Sequence, residues 1–60
     1  MKIIISEEYD TDGELTDTYE VYGVDGAEYE FDGECEMSET DARAMAEDVA
    51  EELGCKVETR

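Results

Sequence analysis

The chain has no histidine, no proline and no tryptophan, a single phenylalanine, two cysteines and only four basic residues among sixty. Each shortage closes off a class of chemistry. Without histidine, the residue most often used for acid–base catalysis and for zinc ligation is missing. Cys35 and Cys55 have neither CxxC spacing nor a histidine beside them, so a zinc site lacks ligands. Both are expected as reduced, half-buried small hydrophobes rather than as a disulfide. The apolar run at the N-terminus is only Ile3-Ile4-Ile5 and acids follow it at once, too short for a signal peptide or a membrane span. An intracellular chain is the expectation.

Carboxylate is what abounds. Twenty Asp and Glu against four Lys and Arg give a formal net charge of -16, far beyond the magnitude of about 2–8 that keeps a small domain soluble. A chain of this length makes one domain, residues 1–60, and buries only about 60% of its unfolded surface. That thin core works against repulsion between carboxylates closer than a Debye length, about 8 Å at physiological salt. High charge with few large apolar residues is also the signature of disorder. The patterning argues for a fold.

Three candidate strands fill the first half, separated by Thr11-Asp12-Gly13 and Val24-Asp25-Gly26. Each triplet suits a three-residue hairpin loop, a type I turn followed by glycine in the left-handed region. A two-residue type I′ loop is the alternative; it would pair Val24 with Ala27 and split the aromatics between faces. Three-residue loops instead align Ile3 with Val21 and Tyr29, Ile5 with Tyr19 and Phe31, and Tyr9 with Leu15. That register gives a continuous apolar face, and a one-residue slip would turn every inward side chain outward.

A helix follows. Ser38 is placed as its N-cap, Glu39 and Asp41 lie in its first turn, and Met37 can staple against Ala42. Ala42, Met45, Ala46, Val49, Ala50 and Leu53 make an apolar stripe at three- and four-residue intervals, and Gly54 suits the left-handed stop. The alternating tail Cys55–Arg60 can return by a right-handed crossover as a strand parallel to the first, which would make strand one central. The expected fold is α+β: a three-stranded antiparallel meander, one helix packed on one face, and a short C-terminal fourth strand.

The segment Glu28-Tyr29-Glu30-Phe31-Asp32-Gly33-Glu34 alternates carboxylates with aromatics or glycine. As a strand it would bury Tyr29 and Phe31 under the helix and leave Glu28, Glu30, Asp32 and Glu34 in one outward row, about 6.6–6.8 Å apart. Neighbouring phosphates of duplex DNA are separated by about 6–7 Å, so such a row could occupy lysines and arginines that hold a DNA backbone. In this register Glu20 faces Glu30, a like-charge pair that weakens the sheet. Carboxylates on an exposed strand also guard against aggregation, though lysine is the usual choice. Ile4 and Tyr22 are expected as diagonal neighbours, forming either an apolar interface centre or a patch covered by the tail. The candidate partner-binding residues are Glu20, Tyr22, Glu28, Glu30, Asp32 and Glu34.

With that acidic segment, no histidine or proline, and a helix set on a small sheet, the chain resembles the DNA-mimic anti-CRISPR proteins of phages. The likeness is one of size and charge and covers the whole chain. It implies a monomeric inhibitor in the host cytoplasm that occupies the basic DNA-binding surface of a CRISPR effector subunit, without chemistry or cofactor. Mimics aimed at restriction enzymes or repair glycosylases fit the same residues.

An enzyme is not expected, because paired acid and base carboxyls need unlike environments. Asp10-Thr11-Asp12-Gly13-Glu14 starts like a calcium loop, but its glycine comes at the fourth position rather than the sixth, so no metal site is expected. The rival reading is adaptation to molar salt, which would spread acid over every exposed surface. Glu39, Glu47, Asp48, Glu51 and Glu52 on the back of the helix favour it.

Overall fold

Three consecutive isoleucines can all be buried in a strand only if both of its faces are covered, because successive side chains point to opposite sides. The computed structural model, which describes all residues from Met1 to Arg60, meets that condition. Strand β1 (Lys2–Tyr9) is an inner strand of a four-stranded sheet in the order β3-β2-β1-β4, and Ile3, Ile4 and Ile5 are at most 2% exposed. Its neighbours are β2 (Leu15–Val24), antiparallel, and β4 (Lys56–Thr59), parallel. The outer strand β3 (Glu34–Met37) pairs antiparallel with β2, and helix α1 (Glu39–Leu53) connects it to β4. The fold is therefore α+β with the expected βββαβ order.

The first hairpin turns as its residues dictate. Thr11-Asp12-Gly13 forms a three-residue loop closed by Asp10 N–H to Glu14 O at 2.8 Å, with Gly13 at φ 83°. Asp10 Oδ1 accepts from the N–H groups of Asp12 and Glu14, so the calcium-like stretch spends its first carboxylate on the turn. Tyr9 faces Leu15 as anticipated. Beyond that pair the expected register is off by two residues: Glu7 faces Tyr19, Ile5 faces Val21 and Ile3 faces Gly23. The cause is a bulge in β2 opposite Glu8, where Asp17 takes φ 60° and Thr16 Oγ1 donates to Glu8 O. Aspartate tolerates that conformation better than most residues. Because the shift is even, the core side chains keep their face.

The core lies between that face and the helix. Ile3, Ile5 and Val21 pack with Ala42, Ala46 and Ala50, and Phe31, Met37, Val49, Leu53 and Val57 close the margin. Alanines let the helix axis approach the sheet. Both helix ends are as anticipated: Ser38 Oγ accepts from Asp41 N–H, and Gly54 stops the helix at φ 70°. Cys55 N–H then bonds to Ala50 O and Gly54 N–H to Glu51 O, the paired bonds of a Schellman cap.

The second Asp-Gly triplet does not make a hairpin. Asp25 and Gly26 adopt φ 56° and 107°, and the chain enters a 3-10 turn, Ala27–Tyr29, that folds back on β2. Ala27 is fully buried there, and its carbonyl accepts from the N–H groups of both Glu30 and Phe31. Gly23 makes this possible: a β-carbon on it would lie 2.7–2.8 Å from Ala27 and Glu28 backbone and side-chain atoms. The strand expected over Glu28–Glu34 does not form; β3 begins only at Glu34, where that segment ends, and Tyr29 is 86% exposed instead of sitting beneath the helix. Burying one alanine against a glycine wins over the alternating pattern.

Candidate partner-binding face

The face of the sheet away from α1 belongs to the even positions of β1 and β2, and it divides into two halves of different character. On the β1–β4 side, Ile4 is flanked by Tyr22 on β2 and Glu58 on β4 and is fully buried. Tyr22 lies directly opposite Ile4 and not diagonal to it, a consequence of the two-residue shift. The charged ends of the tail close over this patch. Arg60 Nε bonds to Glu58 Oε2 at 3.1 Å, Lys2 Nζ lies 3.7 Å from Glu58 Oε1, and Arg60 Nη1 donates to Tyr22 OH at 3.5 Å. Those bonds, Glu58's first and Tyr22's second, push the Arg60 pKa up and keep it charged. The Ile4 patch is covered by the chain's own tail.

The β2–β3 half is acidic. Glu20 and Tyr22 of β2, with Asp32, Gly33, Glu34 and Cys35 from the segment entering β3, line an open groove of about 220 Å³. Four of the six anticipated residues thus meet in one place: Glu20, Tyr22, Asp32 and Glu34. Glu28 and Glu30 do not join them. Glu28 is in the 3-10 turn, where its Oε2 accepts from Gly26 N–H at 2.9 Å, and Glu30 follows it in a helical conformation. Nor does Glu20 face Glu30; its cross-strand partner on β1 is Ser6, and on the other side it lies beside the β3 bulge.

That bulge brings in a residue from two strands away. Glu36 takes φ 55°, and its N–H donates to Glu8 Oε1 at 2.7 Å across the face of β2. Glu8, an even position of β1, belongs to this face, but nothing in the alternation foretells its reach to β3. Cys35, expected to be half-buried, is exposed, and both cysteines are free. Its thiol pKa is raised, first by desolvation and then by the carboxylates Glu8, Glu36, Glu20 and Glu34. We expect Cys35 in a Cys55→Ser background to react with iodoacetamide at pH 8 several-fold more slowly than a free thiol, because less of it is thiolate. Added salt and Glu20→Gln should each speed it. A rate equal to that of free cysteine and insensitive to salt would remove the carboxylate field from this site.

Both ion pairs of the molecule converge on Glu58, leaving Glu8, Glu20, Glu34 and Glu36 without a cation within 4.0 Å. No cluster of three or more His, Cys, Asp or Glu side chains is arranged to hold a metal ion. No helix is long and apolar enough to cross a membrane. No protein-family model matches the chain, and no curated protein or solved structure matches it either.

Proposed function

We propose that the chain is a non-catalytic inhibitor that offers carboxylates in place of DNA phosphates to the basic surface of a DNA-processing protein in the host cytoplasm. A CRISPR effector subunit is the partner class to which the resemblance points. The observation that carries this reading is the gathering of Glu8, Glu20, Glu34 and Glu36 around Cys35 with no neighbouring cation. Like charges collected around one residue weaken the free protein, and a partner that supplies lysine and arginine removes that penalty on binding. The carboxylates come from three strands, spaced across the sheet at about 4.7–4.9 Å per strand. They therefore imitate the charge density of a backbone and not its phosphate-by-phosphate repeat.

Capture of partners from cells carrying DNA-processing complexes tests the reading. Duplex DNA should displace the captured protein. Glu20→Lys with Glu34→Lys should weaken capture at least tenfold through lost steering and lost ion pairs. Glu28→Lys with Glu30→Lys, outside the groove, should weaken it far less. Capture that DNA does not displace, or that both pairs weaken equally, overturns the proposal.

A specific observation favours a second reading, salt adaptation. Glu39, Asp41, Glu47, Asp48, Glu51 and Glu52 are all exposed on α1, on the side of the sheet opposite the groove. Acid spread over both sides is what molar salt selects, and the salt dependence of folding separates the two.

A further inference from the structure

We propose that the distal end of the β1–β2 hairpin is a docking surface for a cationic protein segment, one that sets an apolar side chain over Tyr9 and Leu15 with lysines or arginines on either side. The inference goes beyond the inhibitor reading and does not depend on it. It starts from an apolar face that outruns its cover. On the side of the sheet where α1 packs, successive cross-strand rows are Ile5 with Val21, Glu7 with Tyr19, and Tyr9 with Leu15. The first row is in the core, and Tyr19 of the second is partly buried against it. Helix α1 begins beside that second row: Met37 pairs with Tyr19, Ser38 caps the helix, and the Tyr19 pKa is raised first by desolvation and then by the Glu39 carboxylate. From there the helix runs back toward the start of β4, so the third row lies past its end, with Tyr9 61% and Leu15 54% exposed. Single exposed apolar side chains are ordinary. Here two face each other across a strand pair and prolong the face of the core.

The backbone beside this row is open as well. Strand β4 accompanies β1 only as far as Ile5, where Arg60 N–H bonds to Ile5 O, and β3 meets β2 only at Tyr19 and Val21. Beyond those residues the two strands of the hairpin have no other strand beside them, and such an edge can take up an extended segment. Charge names the occupant. Glu7, Glu8, Asp10, Asp12, Glu14 and Asp17 are the acids of this arm, no Lys or Arg occurs between Lys2 and Arg43, and both ion pairs of the molecule are at Glu58 on the other side of the sheet. A second copy of the chain would bring the same acids against them. A cationic segment neutralises them, and an apolar centre inside a charged rim is the usual anatomy of an interface.

The test compares two peptides of equal charge with blocked ends, Lys-Leu-Lys-Leu-Lys-Leu-Lys and Lys-Ser-Lys-Ser-Lys-Ser-Lys. Each is titrated into the intact protein in 0.15 M salt and followed by the nuclear magnetic resonance signals of the Tyr9 ring and the Gly13 amide. The leucine peptide should bind about tenfold more tightly, the scale of one leucine side chain partly withdrawn from water. Tyr9→Ser with Leu15→Ser should bring that ratio to about one and leave the serine peptide's affinity unchanged. Tyr29→Ser, at the exposed tyrosine of the 3-10 turn, should leave the ratio as it is. Should the double variant fail to fold, Leu15→Thr alone, which keeps a good strand former, should lower the ratio about threefold. Equal affinities for the parent protein, a ratio unmoved by these variants, or shifts away from the hairpin overturn the inference. So does a parent that sediments as a dimer and a double variant that sediments as a monomer, because a second copy then covers the pair. A chain unfolded at this salt presents no such surface and overturns it likewise.

Discussion

Gly23→Ala is expected to destabilise the protein by about 2–3 kcal/mol, the upper part of the range for forcing atoms into a packed site. Gly23 has no left-handed conformation to defend, so the whole effect should come from collision. The new β-carbon would lie 2.7 Å from the Ala27 carbonyl carbon and 2.8 Å from its β-carbon and from Glu28 N. Backbone atoms cannot swing aside as the end of a long side chain can, so the 3-10 turn would have to lift off β2 and take buried Ala27 with it. A domain of sixty residues has about 3–9 kcal/mol of stability in total, and this substitution would consume much of it. Gly13→Ala is the control. Its φ is 83° and nothing lies within 4 Å of the added carbon, so only the left-handed penalty of about 1 kcal/mol applies. Urea unfolding of the two variants, in salt high enough for both to fold, should rank Gly23→Ala as clearly the weaker. Equal losses would mean that the turn does not rest on β2.

Raising sodium chloride from 0.05 to 1 M should stabilise the fold by several kcal/mol. Charges spread through a body with radius of gyration 11.3 Å lie about 16 Å apart on average, and at that distance a pair costs roughly a quarter of a kcal/mol in unscreened water. For a net charge of -16 the pairs sum to about 30 kcal/mol without salt; a Debye length of about 10 Å at 0.1 M leaves about 6 kcal/mol, and one of about 3 Å at 1 M leaves almost nothing. The repulsion at 0.1 M is thus as large as the whole stability of such a domain. Circular dichroism during thermal unfolding across the salt series measures this. It also decides between the two functional readings, because a DNA mimic has to be folded at physiological salt. A cooperative transition well above 37 °C in 0.15 M salt would sink salt adaptation. A chain that folds only near 1 M would sink the inhibitor. A midpoint that does not move with salt would mean that repulsion is absent from the folded state.

Where local chemistry is decisive, the sequence is legible. Ser38, Gly54 and the alanine stripe define the helix because caps and periodicity act within a few residues. Gly13 sets the first loop, and three isoleucines in a row require the central position that β1 occupies. The Glu28–Glu34 segment misleads because strand alternation is also compatible with a turn that buries one residue, and the deciding contact is between Gly23 and Ala27. Nothing in EYEFDGE records the absence of a side chain five residues upstream. Half of the expected ridge was lost with it. Glu20, Tyr22, Asp32 and Glu34 still come together, because Gly33 at φ 83° sets that stretch against β2 independently of what precedes it. Cys35 is exposed against the general tendency of a free cysteine to be buried, because it lies in the bulge of the outer strand β3.

The β2 irregularity at Asp17 sets a rule for how this chain can change length. Two extra residues stand opposite Glu8, and inside and outside remain in phase along the rest of the strand. One residue more or fewer between that irregularity and Val21 would turn Val21 toward water and Glu20 toward the alanines unless a new bulge took it up, as the outer strand already does opposite Glu20. The loop at 11–13, by contrast, can change length without touching the phase of the strand.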